Sequence, residues 1–162
     1  MAKELLGKFL VRKTSGKEVA AMITETEAYD GPHDLASHAS KGKTERTAIM
    51  FGKPGNFYVY LIYGMYHMLN VVTREEGYPA AVLIRGVSLG NERYDGPGKV
   101  TRYLAITGTF NKQPASTSSN LWFEDRRVKV AMVKKLPRVG VHYAGPVFAA
   151  KKLRFLFYPQ GR

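Results

Sequence analysis

Two segments of the chain, one acidic and one aromatic, carry the residue types that could do chemistry at a nucleobase. The acidic segment is Ile23-Thr-Glu-Thr-Glu-Ala-Tyr29. The aromatic segment is Phe57-Tyr-Val-Tyr-Leu-Ile-Tyr-Gly-Met-Tyr66, with four tyrosines and one phenylalanine in ten residues. A carboxylate can activate a water as a general base, and aromatic rings can stack on a base or push into a base stack. A site that joined the two segments could hold a base beside an activated water.

Both segments also have purely structural interpretations. Two glutamates at alternate positions of a strand, here Glu25 and Glu27, more often form a solvated face than a catalytic pair, and tyrosines in strands usually pack in a core. The neighbouring residue types favour a site, because Tyr29, His38 and Arg85 add aromatic surface and one cation to the carboxylates. A buried carboxylate in such a pocket would be poised to act as a base.

The composition favours a nucleic-acid partner. The 162 residues fit one domain, residues 1–162, and carry a formal net charge of +12 from 25 basic and 13 acidic side chains. This charge suits DNA, RNA or an anionic membrane surface, and the scattered lysines and arginines indicate the basic face of a folded domain. No apolar run approaches the roughly 18 residues of a membrane span, and the N-terminus lacks the apolar region of a signal peptide. We therefore expect a soluble, intracellular protein.

Metal and cofactor chemistry has little support in the sequence. The chain has no cysteine, and its four histidines show no metal-ligand spacing. Gly42-Lys43-Thr44 is similar to the end of a nucleotide-binding P-loop, but Ser37 stands where that motif needs a glycine. We expect neither a metal nor another cofactor. The chemistry then falls to carboxylate, histidine, tyrosine and arginine side chains.

The acidic segment is predicted to lie on the second strand of a hairpin. Residues 8–12 and 18–29 are rich in strand-forming residues, and Ser15-Gly16 between them is a turn signal. The two-residue period of a strand places both glutamates and Tyr29 on one face.

The aromatic segment is predicted to form a second hairpin over residues 57–73, with Tyr63-Gly64 at its tip and Tyr63 projecting into solvent. The other predicted elements are a polar loop at 33–55 with a helical turn at 34–38, a buried strand at 80–85, a loop at 86–98, a helix at 100–106, a polar loop at 108–120, and strands at 121–123, 127–133 and 152–158.

Gly98 and Lys99 directly precede the predicted helix. The free backbone N–H groups of a helix N-terminus, together with a lysine, can hold a phosphate of a DNA backbone. A plain turn before a helix explains the same two residues equally well.

Blocks of residues at a characteristic spacing run from about Leu5 to Phe155, nearly the whole chain. They are Glu25-Thr-Glu-Ala-Tyr29, Gly31-Pro-x-Asp34 with His38, Met50-Phe with Pro54-Gly55, Tyr58-Val-Tyr-Leu-Ile-Tyr-Gly-Met-Tyr66, Asn70, Val82-Leu-Ile-Arg85 and Gly96-Pro-Gly-Lys99. In this order they resemble the alkyladenine (3-methyladenine) DNA glycosylase family, the mammalian-type enzymes with bacterial relatives. So many co-linear blocks make the resemblance highly specific.

The resemblance implies roles for the matching residues. Glu27 is expected to be the general base that activates a water, and Arg85 is expected to help hold that water. Tyr29, His38 and Tyr60 are expected to enclose a base that has been flipped out of the duplex.

The resemblance also divides the remaining aromatic residues. Tyr63 matches the tyrosine that fills the gap left in the duplex, and Asn70 matches the asparagine that disfavours guanine. Tyr58 and Tyr66 are assigned to sheet packing. The block Arg138-Val-Gly-Val141 is expected near the water-binding side of the pocket.

The resemblance and the element pattern together imply a fold and a function. The fold is a single α+β domain with a curved, mostly antiparallel β-sheet, a protruding aromatic β-hairpin and a few flanking helices. The function is that of a monofunctional DNA glycosylase, which hydrolyses the N-glycosidic bond of alkylated or deaminated purines and leaves an abasic site. The expected partner is double-stranded DNA with damaged purines, bound by a monomer.

Two other functions are compatible with the residues. In a non-catalytic nucleic-acid-binding module, the tyrosines would form a stacking platform and Glu27 would be structural. A fragment of a formyltransferase-type enzyme, or another small-molecule enzyme with a similar barrel, is a weaker third interpretation.

Overall fold

This computed structural model describes residues 1–159, and nine strands in that part of the chain form one antiparallel sheet. The strands are β1 (Phe9–Thr14), β2 (Lys17–Asp30), β3 (Phe57–Ile62), β4 (Tyr66–Val72), β5 (Ala80–Leu89), β6 (Glu92–Asp95), β7 (Leu121–Glu124), β8 (Val133–Leu136) and β9 (Arg154–Phe157). Two short α-helices, α1 (Pro97–Tyr103) and α2 (Gly145–Ala150), accompany them.

The strand order is β3-β4-β5-β2-β1-β7, and three more strands extend it. β6 pairs with β5, β9 pairs with β2, and β8 pairs with β9. The predicted fold class is confirmed, since the chain forms an α+β domain with a curled antiparallel sheet and few helices. None of the helices in the described residues is long and apolar enough to cross a membrane.

Strand β2 positions the acidic segment, and its pairing changes at the glutamates. Its first half pairs with β1, whereas residues 25–27 pair with residues 154–156 of β9. The register against β5 shifts on both sides of Glu25. A bulge of this kind bends a strand and redirects its side chains. The bend lies next to Glu25 and Glu27, whose side chains reach the same arginine.

The two faces of the sheet pack against different parts of the chain. Phe57 and Val59 point to the main core, which α1 joins through Val100. Tyr58 and Tyr60 alternate with them and therefore point to the opposite face, where they pack near Met50. Strands β3 and β4 pair in antiparallel fashion from Phe57 with Val71 to Ile62 with Tyr66.

Three predicted elements differ from the structure. The segment at 86–98 is no loop, because β5 continues to Leu89 with Val87 fully buried and then pairs with β6. The helix predicted at 100–106 spans Pro97–Tyr103, since a proline is well suited to the first helical turn. The strand predicted at 127–133 is wrong, and the strand here is Val133–Leu136. At 34–38 the Ser37 N–H closes a single turn on the Asp34 carbonyl, and a separate short helix follows at His38–Lys41.

Candidate active site

A small cleft with a volume of about 30 Å³ lies on the sheet face opposite the main core. Strand β2 contributes Tyr29 to it, β3 contributes Tyr58 and Tyr60, β4 contributes Asn70, and the loop after β2 contributes His38. The full lining is Tyr29, Ala36, Ser37, His38, Met50, Tyr58, Tyr60, Asn70, Ala81 and Tyr143. Four of the predicted base-binding residues, Tyr29, His38, Tyr60 and Asn70, therefore share one cleft.

Glu27 lies beside this cleft, and its side chain is completely buried. The Tyr29 hydroxyl donates a 2.8 Å hydrogen bond to Glu27 Oε2, and the Val139 backbone N–H donates one of 2.8 Å to Oε1. Burial raises the pKa of Glu27, and this effect outweighs the opposing influence of Arg85 and the two hydrogen bonds. A carboxylate with a raised pKa and fixed geometry can accept a proton from a water.

Arg85 is shared between the two glutamates. Its Nε atom lies 3.2 Å from Glu25 Oε1 and 3.5 Å from Glu27 Oε1, and its side chain is only 13% exposed. Arg154 of β9 supplies a second cation to Glu25 at 2.9 Å. Arg85 and Glu27 therefore lie close together in the structure. Glu25 is buried and pairs with both arginines, so it does not face solvent.

A buried ion pair holds the loop that follows β2. Arg138 donates from Nη2 to Asp34 Oδ1 at 2.8 Å and from Nη1 to Asp34 Oδ2, and its Nη1 also donates to the Ala28 carbonyl at 3.0 Å. The Arg138 guanidinium lies 4.8 Å from the centre of the Tyr29 ring. The pair therefore fixes both the loop and one wall of the cleft, and it places Val139 against Glu27.

Three more rings line the cleft, those of His38, Tyr58 and Tyr60. His38 Nδ1 lies 3.0 Å from the Tyr58 hydroxyl, and the His38 ring meets the Tyr60 ring edge-on with their centres 4.8 Å apart. Burial, then the charges of Arg46 and Lys41, holds the pKa of His38 below its usual range. His38 is therefore neutral at pH 7. The assignment of Tyr58 to sheet packing is incomplete, because its side chain also lines the cleft.

Asn70 is almost fully buried at the floor of the cleft. Its side-chain nitrogen donates to the carbonyl oxygens of Tyr58 at 3.1 Å and Met68 at 3.2 Å. Both bonds fix the amide orientation, so the side chain offers one defined surface to the cleft.

Tyr63 is 83% exposed at the turn between β3 and β4. The Met65 N–H closes this turn on the Ile62 carbonyl, and Tyr63 (φ 52°) and Gly64 (φ 68°) both have left-handed backbone conformations. Such turns favour asparagine followed by glycine. A tyrosine in the first position is costly for the backbone, and this cost makes Tyr63 a candidate for a functional role.

Helix α1 begins at Pro97, about one turn earlier than predicted. Gly98 and Lys99 therefore lie within its first turn and do not precede it. A Cβ atom on Gly98 would lie 2.7 Å from the Tyr66 ring, so glycine is needed here for close packing of α1 on β4. Lys99 is exposed. A phosphate-binding role for either residue stays a prediction.

Sequence reasoning assigned no function to several residues of the site. They are Glu25, Asp34, Arg46, Tyr143 and Arg154. Their contacts join separate segments of the chain, so the short blocks that contain Glu25 and Asp34 could not reveal those contacts. Only the block that contains Arg138 and Val139 pointed to this side of the pocket. Within residues 1–159, no group of three His, Asp or Glu side chains could hold a metal ion.

Comparisons with known proteins place the chain among DNA glycosylases by similarity. The family model for methylpurine-DNA glycosylase matches residues 1–160. A relative from Anaeromyxobacter dehalogenans strain 2CP-C is 49% identical over 160 residues, which cover 96% of this chain and 76% of the relative. A relative from Methanocella arvoryzae is 46% identical, with 90% and 80% covered, and one from Legionella pneumophila strain Corby is 44% identical, with 96% and 86% covered. All three are named "Putative 3-methyladenine DNA glycosylase".

Proposed function

The chain belongs to the methylpurine-DNA glycosylase family, and from that premise we propose that it removes damaged purines from duplex DNA by hydrolysis of the N-glycosidic bond. The observation that carries the proposal is the environment of the Glu27 side chain. This carboxylate is fully buried, has a raised pKa and is held by two hydrogen bonds beside an aromatic cleft.

The proposed reaction uses Glu27 as a general base. A water next to the carboxylate gives a proton to Glu27 while its oxygen attacks C1′ of the flipped nucleotide. The bond from C1′ to the base nitrogen breaks, its electron pair leaves with the purine, and an abasic site remains. Arg85 lies 3.5 Å from Glu27 Oε1, which suits a role in holding this water and in keeping the carboxylate oriented.

The base would bind between the rings of the cleft. Tyr29 and Tyr60 offer faces for stacking, and neutral His38 offers a ring nitrogen to an edge of the base. Alkylated purines that carry positive charge stack well on electron-rich tyrosine faces and are good leaving groups. Asn70, fixed at the floor of the cleft, would disfavour guanine by crowding its exocyclic amine.

Tyr63 would fill the gap in the duplex after the base has flipped. Flipping costs a few kcal/mol of unstacking, least for damaged or mispaired bases, and a ring inserted at the gap offsets part of that cost. The exposed position of Tyr63 at the turn supports this role.

We propose simple hydrolysis without lyase chemistry, since a lyase needs an amine nucleophile and no lysine is among the residues that line the cleft. The proposed substrates are alkylated or deaminated purines of the 3-methyladenine, hypoxanthine and ethenoadenine class. A monomer acting inside the cell on one duplex site is part of the same proposal.

The test is release of free base. The protein is incubated with duplexes that carry one hypoxanthine or one 1,N6-ethenoadenine, and with methylated DNA, and the reactions are divided between alkali treatment and chromatography of the released bases. We expect free purine and an alkali-labile site in equal amounts. Binding to these duplexes without release of any base would refute the glycosylase proposal and favour the non-catalytic binding module.

A further inference from the structure

Arg46 lies at the entrance to the aromatic cleft. Its guanidinium carbon is 4.9 Å from the centre of the Tyr60 ring. Arg46 lines a wider groove that meets the cleft at Ser37, His38 and Tyr143, which border both. The cation therefore lies against the ring on which a flipped base would stack.

The charge of Arg46 is not neutralised by a carboxylate. None of the ion pairs among residues 1–159 includes Arg46. Its field reaches into the cleft, because it helps to lower the pKa of His38 and opposes the burial that raises the pKa of Tyr58 and Tyr60. Arginine stays protonated at every pH of interest.

We propose that Arg46 is a specificity-determining residue that favours neutral purine lesions over cationic ones. This inference rests on the proposed function. It extends that function by naming the charge class of lesion that the entrance selects.

The reason for this preference is the charge that the base carries as it departs. When the bond from C1′ to a neutral purine breaks, its electron pair makes the departing base an anion, which later takes a proton from solvent. A cation beside the ring of Tyr60 stabilises that negative charge as it develops. A purine that is already cationic leaves as a neutral base, so it gains no such stabilisation.

The binding of the lesion in the cleft also favours neutral purines over cationic ones. A cationic purine entering the cleft meets the like charge of Arg46 beside Tyr60. A neutral purine meets no such repulsion. Both effects therefore lower the excision of cationic lesions relative to neutral ones.

The experiment compares single-turnover excision of hypoxanthine, a neutral lesion, and 3-methyladenine, a cationic one, by wild type, Arg46→Gln and Arg46→Lys. Taking the ratio of the two rates cancels any general loss of DNA binding. Lys43→Gln is the matched control, because Lys43 is a neighbouring exposed cation that lies over Phe51 instead of Tyr60. We expect Arg46→Gln to lower the hypoxanthine to 3-methyladenine ratio about tenfold, which corresponds to about 1.4 kcal/mol. Arg46→Lys and Lys43→Gln should stay within about threefold of wild type.

An unchanged ratio in Arg46→Gln would overturn the inference while leaving the glycosylase proposal intact. A ratio in Arg46→Lys as low as in Arg46→Gln would also overturn it, since charge would then not be the cause. If wild type released neither base, the proposed function itself would fail, and the inference would fail with it.

Discussion

The Tyr29 hydroxyl donates a 2.8 Å hydrogen bond to Oε2 of Glu27, two residues earlier on β2. The alternation of the strand puts both side chains on one face. Burial, followed by the charge of Glu27, raises the pKa of Tyr29, so the phenol keeps its proton and stays a donor. The same tyrosine thus forms a wall of the cleft and orients the carboxylate beside it.

Tyr29→Phe tests this hydrogen bond through the pH profile. Glu27 must be ionised to act as a base, so excision should fall as the pH drops through its raised pKa. Removal of a donor to the carboxylate raises that pKa further. We expect the acid limb of the single-turnover rate to move to higher pH by about one unit in Tyr29→Phe. An acid limb at the same pH as in wild type would show that the bond does not tune Glu27.

Glu27→Gln tests whether the buried carboxylate costs stability. A carboxyl with a raised pKa in the folded state favours folding at low pH, and that contribution is lost as the pH rises from the ordinary pKa of the unfolded chain through the folded pKa. The ionised group therefore destabilises the fold at pH 7. We expect Glu27→Gln to unfold at the same denaturant concentration as wild type or a higher one at pH 7, with the difference shrinking towards pH 4. A large loss of stability at pH 7 would contradict this account.

Arg138→Met tests the buried pair that holds the loop after β2. Asp34 would keep its charge without its partner, and removal of one member of a buried pair typically costs about 3–5 kcal/mol. Arg74→Met is the matched control, because Arg74 pairs with Asp30 at an exposed site where the cost is about 1 kcal/mol or less. Urea unfolding of the two variants measures the difference. Equal losses would mean that the Arg138 pair does not stabilise the fold more than a surface pair does.

Tyr63→Asn separates stability from DNA binding at the hairpin turn. Asparagine tolerates the left-handed conformation better than tyrosine, so the unfolding free energy should stay the same or rise. Loss of a ring that stacks in the duplex should weaken binding to lesion-containing DNA about tenfold. Tyr158→Asn, at an exposed tyrosine beside Arg93 and Lys134, is the control. Equal affinities of Tyr63→Asn and wild type would remove the wedge role.

The sequence predicts the parts of the fold that depend on local patterns. Alternation and turn residues place β1 to β4 and the Tyr63 turn correctly, because strand period and turn preference act over a few residues. The strand predicted at 80–85 continues to Leu89. Gly86 and Ser88 resemble loop residues, yet they pair with β2 and β6 inside the sheet. Tertiary pairing overrides local propensity there.

The site also has parts that the sequence predicts and parts that it does not. Glu27, Tyr29 and Tyr60 are recognisable because each belongs to a short block with fixed spacing. The sharing of Arg85 between both glutamates depends on the bulge at Glu25, and the pairing of Arg154 with Glu25 joins residues 129 positions apart. Contacts across such separations leave no periodic signal in one sequence.

The most direct test of the account is the single-turnover excision rate of Glu27→Gln on a duplex with one hypoxanthine, beside Glu18→Gln. Glu18 lies on the same strand, is exposed and receives the same substitution. We predict that Glu27→Gln binds the lesion duplex like wild type but excises the base at least about 100-fold more slowly, whereas Glu18→Gln retains the wild-type rate. Excision by Glu27→Gln at the wild-type rate would contradict the assignment of Glu27 as the general base.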